Sequence, residues 1–424
     1  MSTNPAETSP VPTAQTAASS SGLPSNPLLP PSLSAPLGAP HPPTVPTPSM
    51  PAMPMPTMPT PSVPTPAGSA HHRPGTSAFG TGSGVGVPDS NDTLTDVKQA
   101  ADLIGQALAQ VQRVIVGQEH LVEQLMVGLL AKGHILLEGV PGTAKTLAVR
   151  SFATVVGGNF ARIQFTPDLV PSDIVGTRIY SMAKETFDVE LGPVFVNFVL
   201  ADEVNRAPAK VQAAMLEVMA EGQVSIGGTT YPMAKPFIVI ATENPVESEG
   251  VYPLPEAQRD RFLLKVDVPY PKGNEEFEIL RRMSIKAPEP DQVLDPKKTL
   301  QLQDMASNIF VHNLVAEYIV RLVMATRNPV DFGMPDLEKV ISIGASSRAT
   351  LGLTSSARAL ALIHGRDYVL PSDVQAVAQD VMAHRVTLSF DAIADNIPTS
   401  QVVDRILAMV PAPTPVWNAN QPRQ

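Results

Sequence analysis

Residues 134–146 read HILLEGVPGTAKT, a short apolar run followed by a glycine-rich turn and a lysine–threonine pair. The apolar run is typical of a strand buried in a parallel sheet. Helical spacing of the apolar residues then extends from Lys145 to about Val156. This stretch therefore predicts one strand–loop–helix unit of an α/β fold.

The loop between this strand and helix has the residues needed to bind phosphate. Its glycines let the backbone bend so that successive N–H groups point at phosphate oxygens, and the helix N-terminus adds positive charge. We expect Lys145 to reach the β- and γ-phosphates and the Thr146 hydroxyl to bind Mg²⁺. Ala144 stands where glycine is usual, and its Cβ is tolerable if the local φ is negative. The predicted nucleotide-binding residues of the loop are Gly139, Pro141, Gly142, Thr143, Ala144, Lys145 and Thr146.

A second motif argues against a chance glycine-rich turn. Residues 196–203 read VNFVLADE, an apolar run that ends in two acids. An acid at this strand end helps to hold Mg²⁺ in phosphate-loop enzymes, and a neighbouring glutamate can polarise the attacking water. We assign Asp202 to the metal and Glu203 to the water. The alternative, a solvated acidic turn, would not require the apolar residues before it.

The composition divides the chain into unlike regions. About half of the 45 prolines precede residue 92, and prolines interrupt both helices and sheet ladders. Helical spacing begins near residues 92–94, with Asp92 or Thr93 as the candidate N-cap. Strand candidates then alternate with helical patterns, which predicts a parallel sheet covered by helices on both faces. After about residue 270 the pattern is helical, including a helix over Pro335 to Ile343. The predicted regions are a disordered Pro/Ser/Thr/Met-rich tail over 1–92, an α/β core over 93–270, a small all-helical domain over 271–410 and a disordered tail over 411–424.

Charge and cysteine content exclude several classes of function. The chain has a net charge of −10 and lacks clustered Lys/Arg, which disfavours nucleic acid as a partner. It contains no cysteine, which excludes disulfides, thiolate metal sites and cysteine nucleophiles. No apolar run is long enough for a membrane span, and the N-terminus lacks the pattern of a secretory signal. The simplest expectation is a cytoplasmic protein.

Taken with further motifs, the sequence resembles the MoxR family of AAA+ ATPases over roughly residues 94 to 411. Ala144 departs from the general phosphate loop but is similar to the family's own loop. The motifs that carry the resemblance are residues 139–146, GVPGTAKT; 200–208, LADEVNRAP; 241–245, ATENP; 254–262, LPEAQRDRF; 344–349, GASSRA; and 365–369, GRDYV.

The resemblance implies a role for individual residues. Asn244 matches sensor 1, with an Asn-Pro turn as the plainer alternative, and Arg348 matches sensor 2, with a solvated arginine as the alternative. Arg261 matches the arginine finger, which acts on the γ-phosphate of a neighbouring subunit. Val116 and Gly117 resemble the segment near adenine. Arg259 stands where the family commonly has leucine, and Glu243 stands where it more often has glutamine. Arg206 suits either a role at the site of a neighbouring subunit or a surface ion pair.

The resemblance also implies an activity and an assembly. It indicates an ATP hydrolase that cleaves the β–γ phosphoanhydride bond with Mg²⁺. It also indicates a homo-hexameric ring whose helical lid moves with the nucleotide state. It further implies chaperone-like maturation of other proteins together with a partner that carries a von Willebrand factor A domain. Residues 223–231 have a Gly-Gly turn between extended flanks, which predicts a hairpin. Residues 166–192 and 223–231 resemble two insertions that face the pore or a partner in related rings, although plain connections are the alternative. Competing functions are the motor subunit of a magnesium chelatase, a nucleotide-binding scaffold and a DNA-processing motor.

Overall fold

The structure is a computed structural model that describes residues 94–246, 250–284 and 288–414. The predicted N-terminal tail lies outside the described residues, as does the predicted C-terminal tail from residue 415 onward. In the described part of the chain, no helix is both long enough and apolar enough to span a membrane.

The described residues form strands and helices that alternate up to Asp267 and are mainly helical afterwards. The strands are β1 Ile135–Glu138, β2 Phe160–Gln164, β3 Gly176–Ser181, β4 Thr186–Leu191, β5 Phe198–Asp202, β6 Gln223–Ile226, β7 Thr229–Pro232, β8 Ile238–Glu243, β9 Leu264–Asp267, β10 Ile341–Ile343 and β11 Thr387–Leu388. The helices are α1 Val97–Val114, α2 Glu119–Leu130, α3 Lys145–Val156, α4 Pro171–Val175, α5 Ala209–Glu221, α6 Glu256–Arg259, α7 Gly273–Met283, α8 Pro296–Asn308, α9 Asn313–Arg327, α10 Leu337–Val340, α11 Ser347–Ile363, α12 Pro371–Met382, α13 Phe390–Ala394 and α14 Thr399–Met409, with short 3₁₀ helices at Val204–Arg206, Pro329–Phe332 and Ala383–Arg385.

The central sheet has five parallel strands in the order β2-β5-β8-β1-β9. Alternate side chains of these strands enter two separate apolar clusters. Leu137 and Leu200 belong to a cluster with α1, α2 and α3, whereas Leu136 and Val199 belong to a cluster with α5. Helices thus cover both faces, because neither face of an all-parallel sheet is left to water. The predicted α/β fold class is confirmed.

The second part of the chain is a helical lid built around α11. This helix packs against α1 and α2 of the first part and against α8, α9 and α12 of the lid. Its buried residues, including Leu353 and Leu360, continue the cluster that covers one face of the sheet. The core and the lid therefore share one apolar interior.

The lid also contains a small antiparallel pair, β10 with β11. The prediction that strands stop near residue 270 and that a helix covers Pro335 to Ile343 is wrong on this point. The helix α10 ends at Val340, and Ile341–Ile343 pairs with Thr387–Leu388 instead. The partner strand lies far along the chain, so local periodicity gave no sign of it.

The two predicted insertions form antiparallel hairpins. Residues 223–231 contain the expected hairpin, β6 with β7, turning at two glycines of positive φ. Residues 166–192 contain α4 and a second hairpin, β3 with β4. Aromatic and aliphatic side chains of this second hairpin, including Tyr180 and Phe187, are exposed.

The start of the first helix differs from the sequence interpretation. Asp92 and Thr93, the predicted caps, lie outside the described residues. The observed cap of α1 is Asp96, whose carboxylate accepts a hydrogen bond from the backbone N of Lys98 at 3.0 Å. Asp96 is the cap because the helix begins at Val97, later in the chain than the sequence pattern indicates.

Candidate active site

The predicted site residues follow three neighbouring strands at one edge of the sheet. The phosphate loop follows β1, Asp202 ends β5, and Asn244 follows β8. These strands are adjacent and parallel, so their carboxyl ends lie side by side. Such an edge is where α/β sheets bind ligands.

The phosphate loop is hydrogen-bonded to the neighbouring strand, and its turn at Gly142 is not crowded. The backbone N of Gly139 donates to the carbonyl of Glu243 at 3.3 Å, which links the loop to β8. The Thr143 hydroxyl is buried and donates to the carbonyl of Val140 at 3.0 Å. Gly142 has φ +87° and open space where a Cβ would stand, so the turn uses its conformational freedom.

The backbone of Ala144 does not have the negative φ at which its Cβ is tolerated without strain. Its φ is +61° and its ψ is 20°, so the residue lies in the left-handed region rather than at a negative φ. It precedes the first residue of α3, where the chain must change direction between loop and helix. The glycine of the general motif suits this conformation, and alanine adopts it at a cost of about 1–2 kcal/mol. The methyl group is therefore accommodated under strain.

The side chain of Lys145 folds back onto the phosphate loop. Its ammonium group donates to the backbone carbonyls of Gly139 and, at 2.9 Å, of Val140. Burial lowers the pKa of Lys145, while the negative charges of Asp202 and Glu203 partly oppose that shift. The side chain is thus held within the phosphate-binding turn by contacts that a phosphate can replace.

Asp202 is buried, and both oxygens of its carboxylate accept hydrogen bonds. One oxygen accepts a hydrogen bond from the Thr242 hydroxyl at 2.6 Å. The other accepts from Arg162 Nε at 2.8 Å and lies 3.4 Å from the Thr146 hydroxyl. Burying this acid is possible because each oxygen has a donor.

The donor atoms at this point fit Mg²⁺. Thr146 Oγ1 and Asp202 Oδ2 are hard oxygen donors whose 3.4 Å separation is short enough for both to contact one ion. In the described ranges no group of three or more His, Cys, Asp or Glu side chains converges as a metal site. A Mg²⁺ ion bound with few protein ligands, the others being phosphate oxygens and water, agrees with both observations.

Glu203 has a strained backbone and a restrained carboxylate. Its φ is +57°, and its backbone N donates to the Thr242 hydroxyl at 2.8 Å. One carboxylate oxygen accepts from Gln164 Nε2 at 2.7 Å and lies 3.0 Å from Arg206 Nε. Arg206 therefore forms an ion pair within its own chain, which is the second of the two interpretations of that residue.

Asn244 combines features of a turn with an open donor. Its side-chain oxygen accepts from the backbone N of Val246 at 3.2 Å, as in an Asx turn. Its Nδ2 is buried and has no hydrogen-bond partner among the described residues. A buried donor without a partner is costly, so this amide is suited to a ligand or a water at the strand ends.

Glu243 is a half-buried acid beside the phosphate loop. It pairs in register with Glu138, which in turn forms an ion pair with Lys265. Burial, followed by repulsion from Glu138, raises the pKa of Glu243 to about 7, and the positive charges of Arg259 and Lys265 partly oppose this. Its carboxyl group is therefore partly protonated near neutral pH, when an unfolded glutamate would be ionised.

Arg261 lies at the opposite edge of the sheet from the phosphate loop. The amino end of β9 pairs with the amino end of β1, and Arg261 lies three residues before β9. Its side chain is exposed, with one weak hydrogen bond to the carbonyl of Leu216 at 3.4 Å. Arg259 is instead half-buried and faces the charge of Glu243. Exposure thus distinguishes Arg261 from Arg259 as the arginine available to another molecule.

Arg348 lies near Arg261 and away from the phosphate loop of its own chain. Its guanidinium forms an ion pair with Asp260 at 2.9 Å. Asp260 also accepts from the Ser346 hydroxyl and from Arg385 Nε at 3.0 Å. The exposed side chain of Arg348 is therefore held beside the arginine that precedes β9.

The segment predicted to lie near adenine has a sharp turn. Gly117 has φ +72°, and a Cβ there would come within 2.4 Å of the carboxylate of Glu275. The buried Gln118 donates from Nε2 to the carbonyl of Pro269 at 2.9 Å, which fixes the segment to the end of the sheet. Val116 is half-buried next to this turn.

Sequence interpretation missed three residues that contact the two acids. Arg162 and Gln164 come from β2, and Thr242 comes from β8. A signal existed for the first two, because they are alternate polar residues in a strand with a buried neighbour, Ile163. Their partners could not be identified without the register that places β2 beside β5.

Comparisons with known proteins agree with this geometry. Residues 134–264 match the ATPase family associated with various cellular activities (AAA), and residues 337–406 match the AAA lid domain. The first range contains β1 to β8 with the strand-end acids, and the second contains α10 to α13 and most of α14.

Similar proteins cover most of the described part of the chain. Chaperone MoxR1 of Mycobacterium tuberculosis is 59% identical over 308 residues, which are 73% of this chain and 82% of that protein. Protein MoxR of Paracoccus denitrificans is 31% identical over 72% of this chain and 95% of that protein. A crystal structure of a protein from Cytophaga hutchinsonii is 45% identical, covers 75% of this chain and 97% of that chain, and has a TM-score of 0.71.

We predict that position 144 tolerates glycine and rejects a branched side chain. Ala144→Gly relieves the left-handed strain, so nucleotide affinity and the free energy of unfolding should stay at or above the wild-type values. Ala144→Val should lower the free energy of unfolding by about 1–2 kcal/mol or more, because a β-branched residue is disfavoured at positive φ. Urea unfolding and titration with a fluorescent ATP analogue measure the two effects.

The control for this series is Ala316→Val on the exposed side of α9. It should cost only the helix-propensity difference, about 0.5 kcal/mol. Equal effects of valine at both positions would contradict a strained residue 144.

We predict that Glu243 makes stability depend on pH. Because its pKa of about 7 in the folded chain exceeds the ordinary value of 4.5, the folded chain binds a proton that the unfolded chain has released between those values. The free energy of unfolding should therefore fall as pH rises through this window, by at most about 1.4 kcal/mol per unit. Glu243→Gln should remove this contribution, as measured by urea unfolding from pH 5 to 8.

The exposed Glu338→Gln is the matched control, since it changes the same charge on the lid surface. It should leave the slope of stability against pH as in the wild type. A wild-type slope in Glu243→Gln would mean that another group carries the dependence.

Proposed function

The chain belongs to the MoxR family of AAA+ ATPases, and from this premise we propose that it hydrolyses ATP at a site completed by a second copy of itself. The observation that carries the proposal is the separation of two groups of residues. The phosphate loop and the acids Asp202 and Glu203 lie at one edge of the sheet, whereas Arg261 and Arg348 lie at the other.

ATP binding would use the loop and the turn near residue 117. The backbone N–H groups of Gly139 to Thr146 and the Lys145 ammonium would hold the phosphates, with Val116 and Gly117 near the adenine. Thr146 and Asp202 would hold Mg²⁺, which on binding would neutralise phosphate charge. Arg162 would then have to give up its contact with Asp202, because it uses the same carboxylate oxygen that faces Thr146.

The cleavage step would depend on Glu203 and Asn244. Glu203 would orient and polarise the water that attacks the γ-phosphate. In the present conformation Gln164 and Arg206 hold its carboxylate, so hydrolysis would require its release from at least one of them. Asn244, with its open buried Nδ2, would orient the water or contact the γ-phosphate.

A neighbouring copy would supply the remaining positive charge. β1 has four residues and spans about 13 Å, which separates Arg261 from the phosphate loop of the same chain. A head-to-tail arrangement would bring Arg261 and Arg348 of one copy to the phosphates of the next, and a closed ring of such contacts satisfies every copy. We propose a homo-hexamer, in which hydrolysis depends on assembly.

The energy of hydrolysis would be used on other proteins. A relative with 59% identity carries the name Chaperone MoxR1, which supports a chaperone-like role in the maturation of partner proteins. The family resemblance predicts a partner with a von Willebrand factor A domain, and the sequence predicts a cytoplasmic location. The exposed apolar residues of the β3–β4 hairpin, such as Tyr180 and Phe187, are suited to contact such a partner.

We predict that two inactive variants restore activity when they are mixed. Lys145→Ala should abolish nucleotide binding, and Arg261→Ala should keep it but lower turnover at least about a hundredfold. A one-to-one mixture pairs an intact loop with an intact arginine at about a quarter of the interfaces, so turnover should approach that fraction of wild type. Phosphate release and light scattering measure turnover and assembly.

The same variants diluted below the assembly concentration are the control, and there the mixture should be inactive. Wild-type turnover by a monomeric sample would overturn the shared site.

We predict that a trapped ATP state retains client proteins. Glu203→Gln should bind ATP without cleaving it, so affinity capture with ATP should hold partners that wild type releases. Lys145→Ala, which lacks the ATP state, is the control in the same extract. A protein set that is identical for both variants, with and without ATP, would argue against remodelling driven by hydrolysis.

A further inference from the structure

A cleft lies between the helical lid and the edge of the sheet that is opposite to the phosphate loop. Its volume is about 430 Å³, within the usual range for ligand sites. Gly133 and Leu263, which precede β1 and β9, form part of its wall, and α11 contributes Leu351 and Gly352 from the lid. We call this space the lid cleft.

The lid cleft is strongly cationic in an acidic chain. The charged side chains that line it are Lys132, Arg261, Arg348, Arg358, Arg385 and the carboxylate Asp260. Five positive charges thus face one negative charge, although the net charge of the whole chain is −10. A cleft that concentrates one sign of charge attracts ligands of the other sign.

Asp260 does not balance all of these charges. It forms ion pairs with Arg348 at 2.9 Å and with Arg385 at 3.0 Å. Arg385 is almost fully buried and also donates to the carbonyl of Leu263 at 3.0 Å, so it is a structural part of the cleft wall. Lys132 is paired with Asp304 at 3.1 Å, outside the cleft lining.

Arg358 is the exception among these cations. It is half-buried, its Nε is buried without a partner, and within the described ranges its guanidinium makes no hydrogen bond or ion pair. A buried N–H without an acceptor is uncommon, because it loses its hydrogen bond to water and gains none in return. A guanidinium with a buried unpaired Nε and accessible terminal nitrogens is suited to bind an anion.

We propose that the lid cleft receives the polyphosphate of the ATP bound by a neighbouring copy, and that Arg358 is an unassigned phosphate-binding residue of this shared site. The inference rests on the proposed function and adds to it a third arginine, beyond Arg261 and Arg348. The ligand is a nucleotide polyphosphate presented by a second copy of the chain.

The positions of the two lid arginines suit an extended anion. Arg348 and Arg358 lie on α11 ten residues apart, about 15 Å along the helix axis. Side chains of an α-helix lean toward its N-terminus, so Arg358 extends back toward Arg348. Both line the lid cleft, and they can therefore contact different oxygens of one polyphosphate chain.

The chain's own nucleotide is excluded by the position of the lid cleft. Gly133 and Leu263 precede the amino ends of β1 and β9, whereas the phosphate loop follows the carboxyl end of β1. The sheet stands between the two. Arg358 thus acts between copies, in the same direction as Arg261.

The first test separates a ligand-binding role from a structural one. Arg358→Met keeps the apolar stem and removes the unpaired charge, so the melting temperature of the nucleotide-free protein should equal or exceed that of wild type. ATP binding by the variant's own phosphate loop should change less than about twofold. A clear fall in melting temperature would assign Arg358 a structural partner and overturn the proposal.

The second test measures turnover in mixtures of variants. Arg358→Met alone should lower turnover at least about tenfold, and Arg358→Lys should recover part of that loss. A mixture of Arg358→Met with Lys145→Ala should regain activity, because the second variant offers an intact Arg358 to the intact loop of the first. A mixture of Arg358→Met with Arg261→Ala should stay inactive, since every interface then lacks one arginine.

Controls and outcomes distinguish this proposal from the one on which it rests. Arg405→Met removes a lid arginine that pairs with Asp336 outside the cleft lining, and its turnover should be that of wild type. If Arg261→Ala is rescued by Lys145→Ala but Arg358→Met is not, the shared site stands and Arg358 does not belong to it. Assembly that Arg358→Met weakens equally with and without ATP would indicate an ion pair between proteins and would also overturn the proposal.

Discussion

The parallel pairing of β1 with β8 on one side and β9 on the other is the constraint on which the rest of the structure depends. Parallel strands bring all carboxyl ends to one edge, so the phosphate loop, Asp202 and Asn244 meet without any of them being close in sequence. The same pairing puts the residues that precede β9, including Arg261, at the far edge. One geometric fact thus gathers the phosphate loop, Asp202 and Asn244 at one edge of the sheet and places Arg261 at the other.

Charge is distributed to match this division. The loop edge holds the acids that would bind Mg²⁺ and activate water, and the lid cleft at the other edge holds five cations beside Asp260. Under the proposed function, each edge would be completed by the opposite edge of a neighbouring copy. Complementary surfaces on opposite sides of one subunit favour head-to-tail association, which closes into a ring when the rotation allows it.

Several residues at these two edges carry local energetic costs. Ala144 and Glu203 have positive φ, and within the described residues Asn244 Nδ2 and Arg358 Nε are buried without a hydrogen-bond partner. Strain and unsatisfied groups persist where the surrounding packing holds them, here beside two apolar clusters on the faces of the sheet, one of which continues into the lid. Under the proposed function, the partners of the unsatisfied groups would be a ligand or a neighbouring copy, so that these positions trade stability for function.

The sequence by itself determined the fold class and the chemical identity of the loop edge. An apolar strand before residues 139–146, and another that ends at Asp202 and Glu203, specify local structure and ligand preference through neighbours in the chain. Only the tertiary structure decided the left-handed conformation of Ala144, the contacts of Arg162 and Gln164 with the two acids, and the pairing of β10 with β11. The tertiary structure also decided that Arg261, Arg348 and Arg358 lie at the opposite edge of the sheet from the phosphate loop. These features depend on strand register and on contacts between residues far apart in sequence, which a pattern of neighbouring residues does not encode.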